Sequence, residues 1–309
     1  MMERPSIQQL QYLVSLAEHL HFGNAAETCN VSQPGLSSQI QELERRLGAR
    51  LFERSSRQVF LTGAGAQAVE RARVILRDVD DLVAGCRNER GSLTGLLRLG
   101  VIPTIAPYLL TKILPVVRAE FPGLSVHLRE ERTDALVSSL HSGRLDLLLL
   151  ALPLEDSRVT EAELGQDPFL LAFSTASPLA GPGPVNADVL LGNQVLLLED
   201  GHCLRGQALA ICRLAGAATA DDVRATSLPT LVQMVAGGLG VTLLPKMAAA
   251  VEAGAGSGIV TRRFREPAPA RRIGLAWRTS SPHDAAYRQL AAAVEPACGL
   301  QVPASARGQ

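Results

Sequence analysis

Cys203 and Cys212 stand nine positions apart in the segment Gly201-His202-Cys203-Leu204-Arg205-Gly206-Gln207-Ala208-Leu209-Ala210-Ile211-Cys212, with a histidine and an arginine beside the first. These residue types at this spacing fit thiol oxidation. With Asp200 as the cap of a helix running on from His202, Cys203 falls in the first turn, where the helix dipole, His202 and Arg205 favour a thiolate. A rise of about 1.5 Å per residue then separates the two Cα atoms by roughly 13–14 Å, whereas a disulfide spans at most about 7 Å. The pair can bridge only if the segment refolds, and such coupling of sulfur oxidation to rearrangement is what a redox sensor requires. The competing reading is a pair of buried cysteines acting as small hydrophobes. Spacing alone favours it for Cys212. Cys29, Cys86 and Cys298 are read that way outright, because none has a clustered partner that would mark a metal site.

Residues 6 to about 62 form a separate unit. Leu10, Leu13, Val14, Leu16, Ala17 and Leu20 make a helical apolar stripe, Asn24 to Cys29 a short helix with small residues for close packing, and Asn30-Val31 a turn. Ser32 is an N-cap with Pro34 in the turn that follows, and this helix runs through Leu36, Ile40, Leu43 and Leu47 to a stop at Gly48. Two short helices on a tight turn make a helix-turn-helix, and the alternating stretch from Leu51 to Thr62 reads as a hairpin, the wing. Ser32, Gln33, Pro34, Ser37, Ser38, Gln39 and Gln41 lie at the N-terminal end or on the exposed side of the second helix, within reach of base edges or phosphates in a major groove. Arg45, Arg46, Arg50, Arg54, Arg57, Arg71, Arg73 and Arg77 are opposed only by Glu53 and Glu70 over the same stretch. Arg50, Arg54 and Arg57 fall on the hairpin and are assigned to phosphates, while Arg71, Arg73 and Arg77 read equally well as a solvated helix face. Any one of these side chains alone reads as a cap or ordinary surface. As an ensemble they point to double-stranded DNA.

Ala64 to about Arg90 forms a long amphipathic helix with Ala68, Ala72, Ile75, Leu76, Val79, Leu82 and Val83 on one side, which fits a linker and dimerisation helix. Gly91 to Gly95 is the hinge. The pattern then becomes α/β: strands at Leu97 to Val101, Leu124 to Leu128 and Leu145 to Leu150 alternate with helices at Ile105 to Ala119 and Ala135 to His141. A second set comprises Phe169 to Phe173, Gln194 to Leu198, the cysteine segment, a helix over Thr230 to Gly237 and a strand over Val241 to Leu244. A late strand at Arg272 to Trp277 and a helix near Asp284 to Val294 return to the first set. The expected fold class is α/β: an N-terminal winged helix-turn-helix (1–62), a linker helix and hinge (63–92), and a two-lobed, periplasmic-binding-protein-like regulatory domain (93–309). Its first lobe spans about 93–165 and 268–300 and its second about 166–267, with ligands expected in the cleft between them.

The chain has 309 residues, 47% of them hydrophobic, and zero formal net charge. Its longest apolar run, Leu147 to Leu154, is too short to cross a bilayer, and Met1 to Pro5 carries no apolar leader, so a cytoplasmic protein without a membrane partner is expected. No Ser/His/Asp set, phosphate loop or metal-ligand cluster rises above background, and His19, His21, His127, His141 and His283 read as structural or surface. No cofactor, metal or enzymatic activity is expected.

Phe22-Gly23-Asn24-Ala25-Ala26, the stretch from Val31 to Ile40, Leu43-Glu44, Leu47-Gly48 and Leu51-Phe52-Glu53-Arg54 resemble the winged helix-turn-helix of LysR-type transcriptional regulators. The resemblance continues to Met234 through Pro245 and so covers nearly the whole chain. Within the family, Leu197 through Arg205 with Gln207 and Cys212, Gly100 through Tyr108, and Arg224 through Leu228 look like its hydrogen-peroxide-sensing members. The resemblance implies that Cys203 is the peroxidatic thiol and Cys212 the resolving one, and that Thr104, Thr133 and His202 bind peroxide, Thr133 being matched through Glu130-Glu131-Arg132-Thr133. It further implies control of antioxidant genes, a homodimer assembling into a homotetramer, and RNA polymerase as a partner. From the residues alone, Thr104 is as well read as a cap before Ile105 and Thr133 as a cap before Ala135. Two positions depart from the family pattern: Gly206 replaces an aspartate, which weakens the helix, and Pro229 replaces a glutamate, where it starts one. Two rivals stand beside the peroxide sensor. One is a regulator of the same family that binds a small metabolite in the cleft. The other, a thiol peroxidase, has no reason to carry the N-terminal unit.

Overall fold

The computed structural model describes residues 4–54, 58–86, 93–217 and 219–301. They fall into two compact units, one holding residues up to 90 with a short piece at 141–144, the other the remainder. Arg57 of the wing and Gly91 and Ser92 of the hinge lie outside the described residues, as does the side chain of Arg54.

In the first unit α1 (Ile7–His19) starts at Ser6. The Ser6 Oγ accepts the Gln9 N–H and the Gln9 side chain accepts the Ser6 N–H, each at 3.1 Å, a reciprocal cap that fixes where the helix begins. After α2 (Phe22–Thr28), α3 (Gln33–Leu47) starts as its sequence requires, the Ser32 Oγ accepting the Gly35 N–H at 3.3 Å. Gly48, at φ 65°, ends it in the left-handed conformation that glycine adopts without strain. Leu13, Leu16, Leu36, Ile40 and Leu43 are fully buried, and Ala25 and Ala26 let α2 approach closely. The wing is the antiparallel pair β1 (Phe52–Arg54) and β2 (Val59–Leu61). The long helix α4 (Gly63–Cys86) buries Val69 and Ala72 against the same core and leaves Ile75 and Leu82 exposed further along. Gly65 sits where a Cβ would strike the Leu51 carbonyl oxygen, so α4 can lie this close to the wing only with glycine there.

The second unit holds β3 (Gly95–Val101), α5 (Ala106–Glu120), β4 (Leu124–Glu130), α6 (Thr133–His141), β5 (Leu147–Leu152), β6 (Val159–Ser174), β7 (Val195–Leu198) and α7 (Cys203–Ala215). There follow β8 (Thr219–Ala225), α8 (Leu228–Ala236), β9 (Thr242–Pro245), α9 (Lys246–Glu252), β10 (Ile259–Arg263), β11 (Ala270–Arg278) and α10 (Asp284–Cys298). The sheet runs β10-β6-β11-β5-β3-β4, with β9 also on β6 and the parallel pair β7-β8 separate. Its centre, β5, is the run Leu-Leu-Leu-Leu-Ala-Leu, buried at every residue, as a strand covered on both faces must be. The sequence pattern marks only Phe169 to Phe173 as a strand. The real β6 is 16 residues long because it serves two cores. Its first half pairs with β11 and its second with β10 and β9. One core gathers Leu97, Leu99, Leu109, Leu147 to Leu150, Ile273, Trp277 and Leu290. The other gathers Phe169, Phe173, Val195 to Leu198, Leu204, Cys212, Val232 and Leu243. The strands β8 and β10 and helix α9 have no counterpart in the sequence reading; β8 and β10 carry few apolar positions, and α9 is too short at 7 residues to show a helical period.

The β6–β11 ladder shifts register between Ile273 and Gly274, and at Gly274 a Cβ would press on the Leu152 side chain and lie 2.5 Å from the Ala162 carbonyl oxygen. Gly274→Ala is therefore expected to lower the thermal unfolding midpoint, at a cost of about 1–3 kcal/mol typical of overpacking. Calorimetry of the purified chain checks it; an unchanged midpoint would mean that the ladder yields without cost.

Candidate functional site

The turn between β7 and α7 is held from three directions. Arg205 donates from Nε to the Asp200 carboxylate at 2.9 Å and from Nη1 to the Leu198 carbonyl at 3.1 Å, while Arg224 reaches the other Asp200 oxygen at 3.0 Å. Arg132, just before α6, donates to the Asp200 carbonyl at 3.1 Å and to Glu199 at 3.2 Å. Gly201, at φ 90°, lets the chain reverse here. Asp200 is thus not the helix cap expected from its position. Its carboxylate is occupied by two arginines, and the N-cap is His202, whose side chain makes no capping bond. Arg205, expected beside the thiol, spends its charge on Asp200 and the end of β7.

Cys203 is the first residue of α7, half-buried and packed against the first core, although α7 otherwise belongs to the second. Cys212 is buried in the second core, where loss of hydration pushes its thiol pKa up. α7 is helical through both, so at about 1.5 Å per residue the sulfurs hang from Cα atoms roughly 13–14 Å apart.

His202 is 8% exposed. Burial and the nearby positive charge of Arg132 hold its pKa below the ordinary value, against smaller opposing effects of Glu199 and a hydrogen bond to the Thr226 backbone. Its Nε2 is buried without a hydrogen-bond partner. Thr133, which the resemblance implies for peroxide binding and the residues alone read as well as a cap before Ala135, is the first residue of α6, and its Oγ1 is also buried without a partner. The Gln207 Oε1, one helical turn beyond Cys203, is a third such atom; the sequence places Gln207 within the family resemblance but gives it no role at the site. Buried unpaired polar groups of this kind cost about 1–3 kcal/mol each unless something small and polar satisfies them.

Thr104 does not cap α5, whose N-cap is Ile105 without a side-chain bond. It is buried, and its Oγ1 accepts from Arg271 Nη1 at 3.0 Å while its carbonyl accepts from Nη2 at 3.1 Å. With the lone pair engaged, the Thr104 hydroxyl proton is left to donate. Arg271 is itself paired with Asp167 at 3.0 Å, and the second Asp167 oxygen accepts the Met247 N–H at 3.0 Å. Neither Arg271 nor Asp167 was picked out from sequence. Two opposite charges set into apolar strands were the available signal.

In the first unit Gln33, Pro34, Ser38 and Gln41 of α3 are exposed, as is Arg50. Ser32 is engaged as the cap, Ser37 is half-buried, and Gln39, though exposed, accepts from Gln9 Nε2 at 3.1 Å. Among the described residues, no group of three or more histidine, cysteine or acidic side chains could hold a metal ion, and no helix is long and apolar enough to cross a membrane.

Residues 90–299 match the LysR substrate binding domain, and residues 7–66 match the bacterial regulatory helix-turn-helix protein of the lysR family. The chain is 46% identical over 295 residues to a probable hydrogen peroxide-inducible genes activator of Streptomyces viridosporus, covering 95% of each. It is 45% identical over 289 residues to the DNA-binding transcriptional dual regulator OxyR of Escherichia coli strain K12, covering 94% of each. A full-length OxyR variant from Pseudomonas aeruginosa superimposes with a TM-score of 0.80 at 34% identity, over 94% of this chain and 95% of that one.

The depressed pKa of His202 has a sign that can be checked. Above about pH 6.5 the ring is neutral in both folded and unfolded chains and contributes nothing to the pH dependence; on acidification the unfolded chain takes up the proton first, so stability falls as the pH drops toward the folded value. His202→Gln should remove up to one proton from the slope, about 1.4 kcal/mol per pH unit at most. Denaturant titrations between pH 7.5 and 5.5 measure it, and identical slopes for the two proteins would contradict a buried neutral ring.

Proposed function

This chain belongs to the LysR family of bacterial DNA-binding transcriptional regulators, and from that premise we propose that it senses hydrogen peroxide through Cys203 and controls antioxidant genes by a Cys203–Cys212 disulfide. One observation carries the reading: a half-buried thiol opens α7 against the first core, beside buried polar atoms without partners, and a second thiol lies nine residues on in the other core. Thr104, oriented by Arg271, and Thr133 and His202 bind the peroxide, while Arg205 holds the turn that presents Cys203. The Cys203 thiolate attacks one peroxide oxygen and the O–O bond breaks; the departing oxygen takes a proton and leaves as water, and the sulfur becomes a sulfenic acid. The Cys212 thiol then attacks that sulfur. The S–S bond forms, the S–O bond breaks, and a second water leaves, so two thiols and one peroxide give one disulfide and two waters.

At the other end, residues 1–62 bind operator DNA. Gln33, Pro34, Ser37, Ser38, Gln39 and Gln41, with Ser32 at the helix start, face the major groove, and Arg50, Arg54 and Arg57 take phosphates. Residues 63–92 link two copies into a dimer through α4, dimers pair as tetramers, and residues 93–309 carry the switch to RNA polymerase in the cytoplasm.

One equivalent of peroxide should consume two thiols per chain, with peptide mapping placing the bridge between Cys203 and Cys212. Cys203→Ser should abolish the promoter response, and Cys212→Ser should leave Cys203 oxidisable to the sulfenic acid but prone to over-oxidation beyond it. A normal response from Cys203→Ser would hand the cleft to a small metabolite instead.

Arg50→Ala should weaken binding to all DNA sequences alike and reduce the salt slope by about one. A change of preference at one base pair, with non-specific affinity intact, would make Arg50 a base reader.

A further inference from the structure

We propose that Gly206 sets the redox set-point of the switch by weakening the helix that must unwind before the disulfide can form. The inference rests on the Cys203–Cys212 reading above and adds to it a determinant of how readily the bridge forms.

Gly206 is the fourth residue of α7 and is exposed, and a Cβ built there meets nothing within 4 Å. Neither a left-handed backbone nor a close approach calls for glycine at this place. What remains is its effect on the helix. Leu204, Arg205, Gln207, Ala208, Leu209 and Ala210 around it are all good helix formers, and glycine among them lowers helical stability by a factor of about five relative to alanine. The start of α7 is weak for a second reason: the His202 side chain makes no capping bond, and Asp200, a residue type that caps well, is held by Arg205 and Arg224.

Both features lie within or beside the segment between the two cysteines. A helix keeps those Cα atoms roughly 13–14 Å apart and a disulfide tolerates at most about 7 Å, so the free energy of unwinding is part of the free energy of oxidation. A residue that weakens the helix in the dithiol and is freer in the unwound disulfide therefore favours the disulfide. The equilibrium is two protein thiols plus oxidised glutathione giving the protein disulfide plus two reduced glutathiones.

The test is redox titration of the full chain in glutathione buffers. Gly206→Ala should lower the oxidation equilibrium constant about five-fold, raising the potential by about 20 mV at 29.6 mV per decade. Ala210→Gly, at an exposed position of α7 between the same cysteines, should move it about five-fold the other way. Ala292→Gly, exposed in α10, should lower the thermal midpoint and leave the potential alone, which separates this role from general stability. Oxidation equilibrium constants of Gly206→Ala and Ala210→Gly within two-fold of the parent, with the bridge intact, would overturn the inference. A parent chain with no Cys203–Cys212 peptide after peroxide would instead overturn the sensor reading itself.

Discussion

Where β6 and β11 pass between the two cores, Arg271 and Asp167 meet with side chains 0% and 2% exposed. An ion pair so thoroughly dehydrated holds only if its remaining hydrogen-bonding capacity is met, because the desolvation of each charge costs several kcal/mol. Here it is met by the architecture. Arg271 gives its other donors to the hydroxyl and carbonyl of Thr104, and Asp167 takes the N–H of Met247 at the start of α9. Burial pushes the Asp167 carboxyl pKa up, against the pull of Arg271 and the Met247 N–H. One pair thus fixes the crossing of the long strands, the approach to α5 and the start of α9. It also orients a hydroxyl that the sequence presents as an ordinary helix cap.

Signals that act over a few residues were legible from sequence. Ser32 three residues before Gly35, glycine at 48, and the unbroken leucines of β5 each state a local rule, and each rule holds. What escaped depends on partners distant in the chain. Arg271 and Asp167 are 104 residues apart, and a charge in a strand does not say which distant charge it meets. Asp200 was misread for the same reason. Its type favours capping, but Arg224, contributed by β8, competes for it and leaves His202 at the helix start. Thr133 and Gln207 disclosed their unpaired atoms only once their surroundings were assembled.

The DNA-facing half shows the opposite correction, since structure subtracts from the sequence. Arg45 and Arg46 both bind Glu42, whose carboxyl is held down to about 2 by those two hydrogen bonds, and Arg73 binds Glu18 and Glu70. These arginines shape helices more than they project charge. Arg50, by contrast, is exposed.

Cys212 occupies the second core at 1% exposure, among side chains that pack as densely as an organic crystal. Drawing its sulfur out toward Cys203 leaves a void, and an unfilled void costs about 24 cal/mol for each Å³ that neighbours fail to close. The proposed switch would therefore be volumetric as well as electronic: the oxidised chain would have to collapse around a missing thiol or admit water into an apolar room. Reduction would, in turn, return the sulfur to that room.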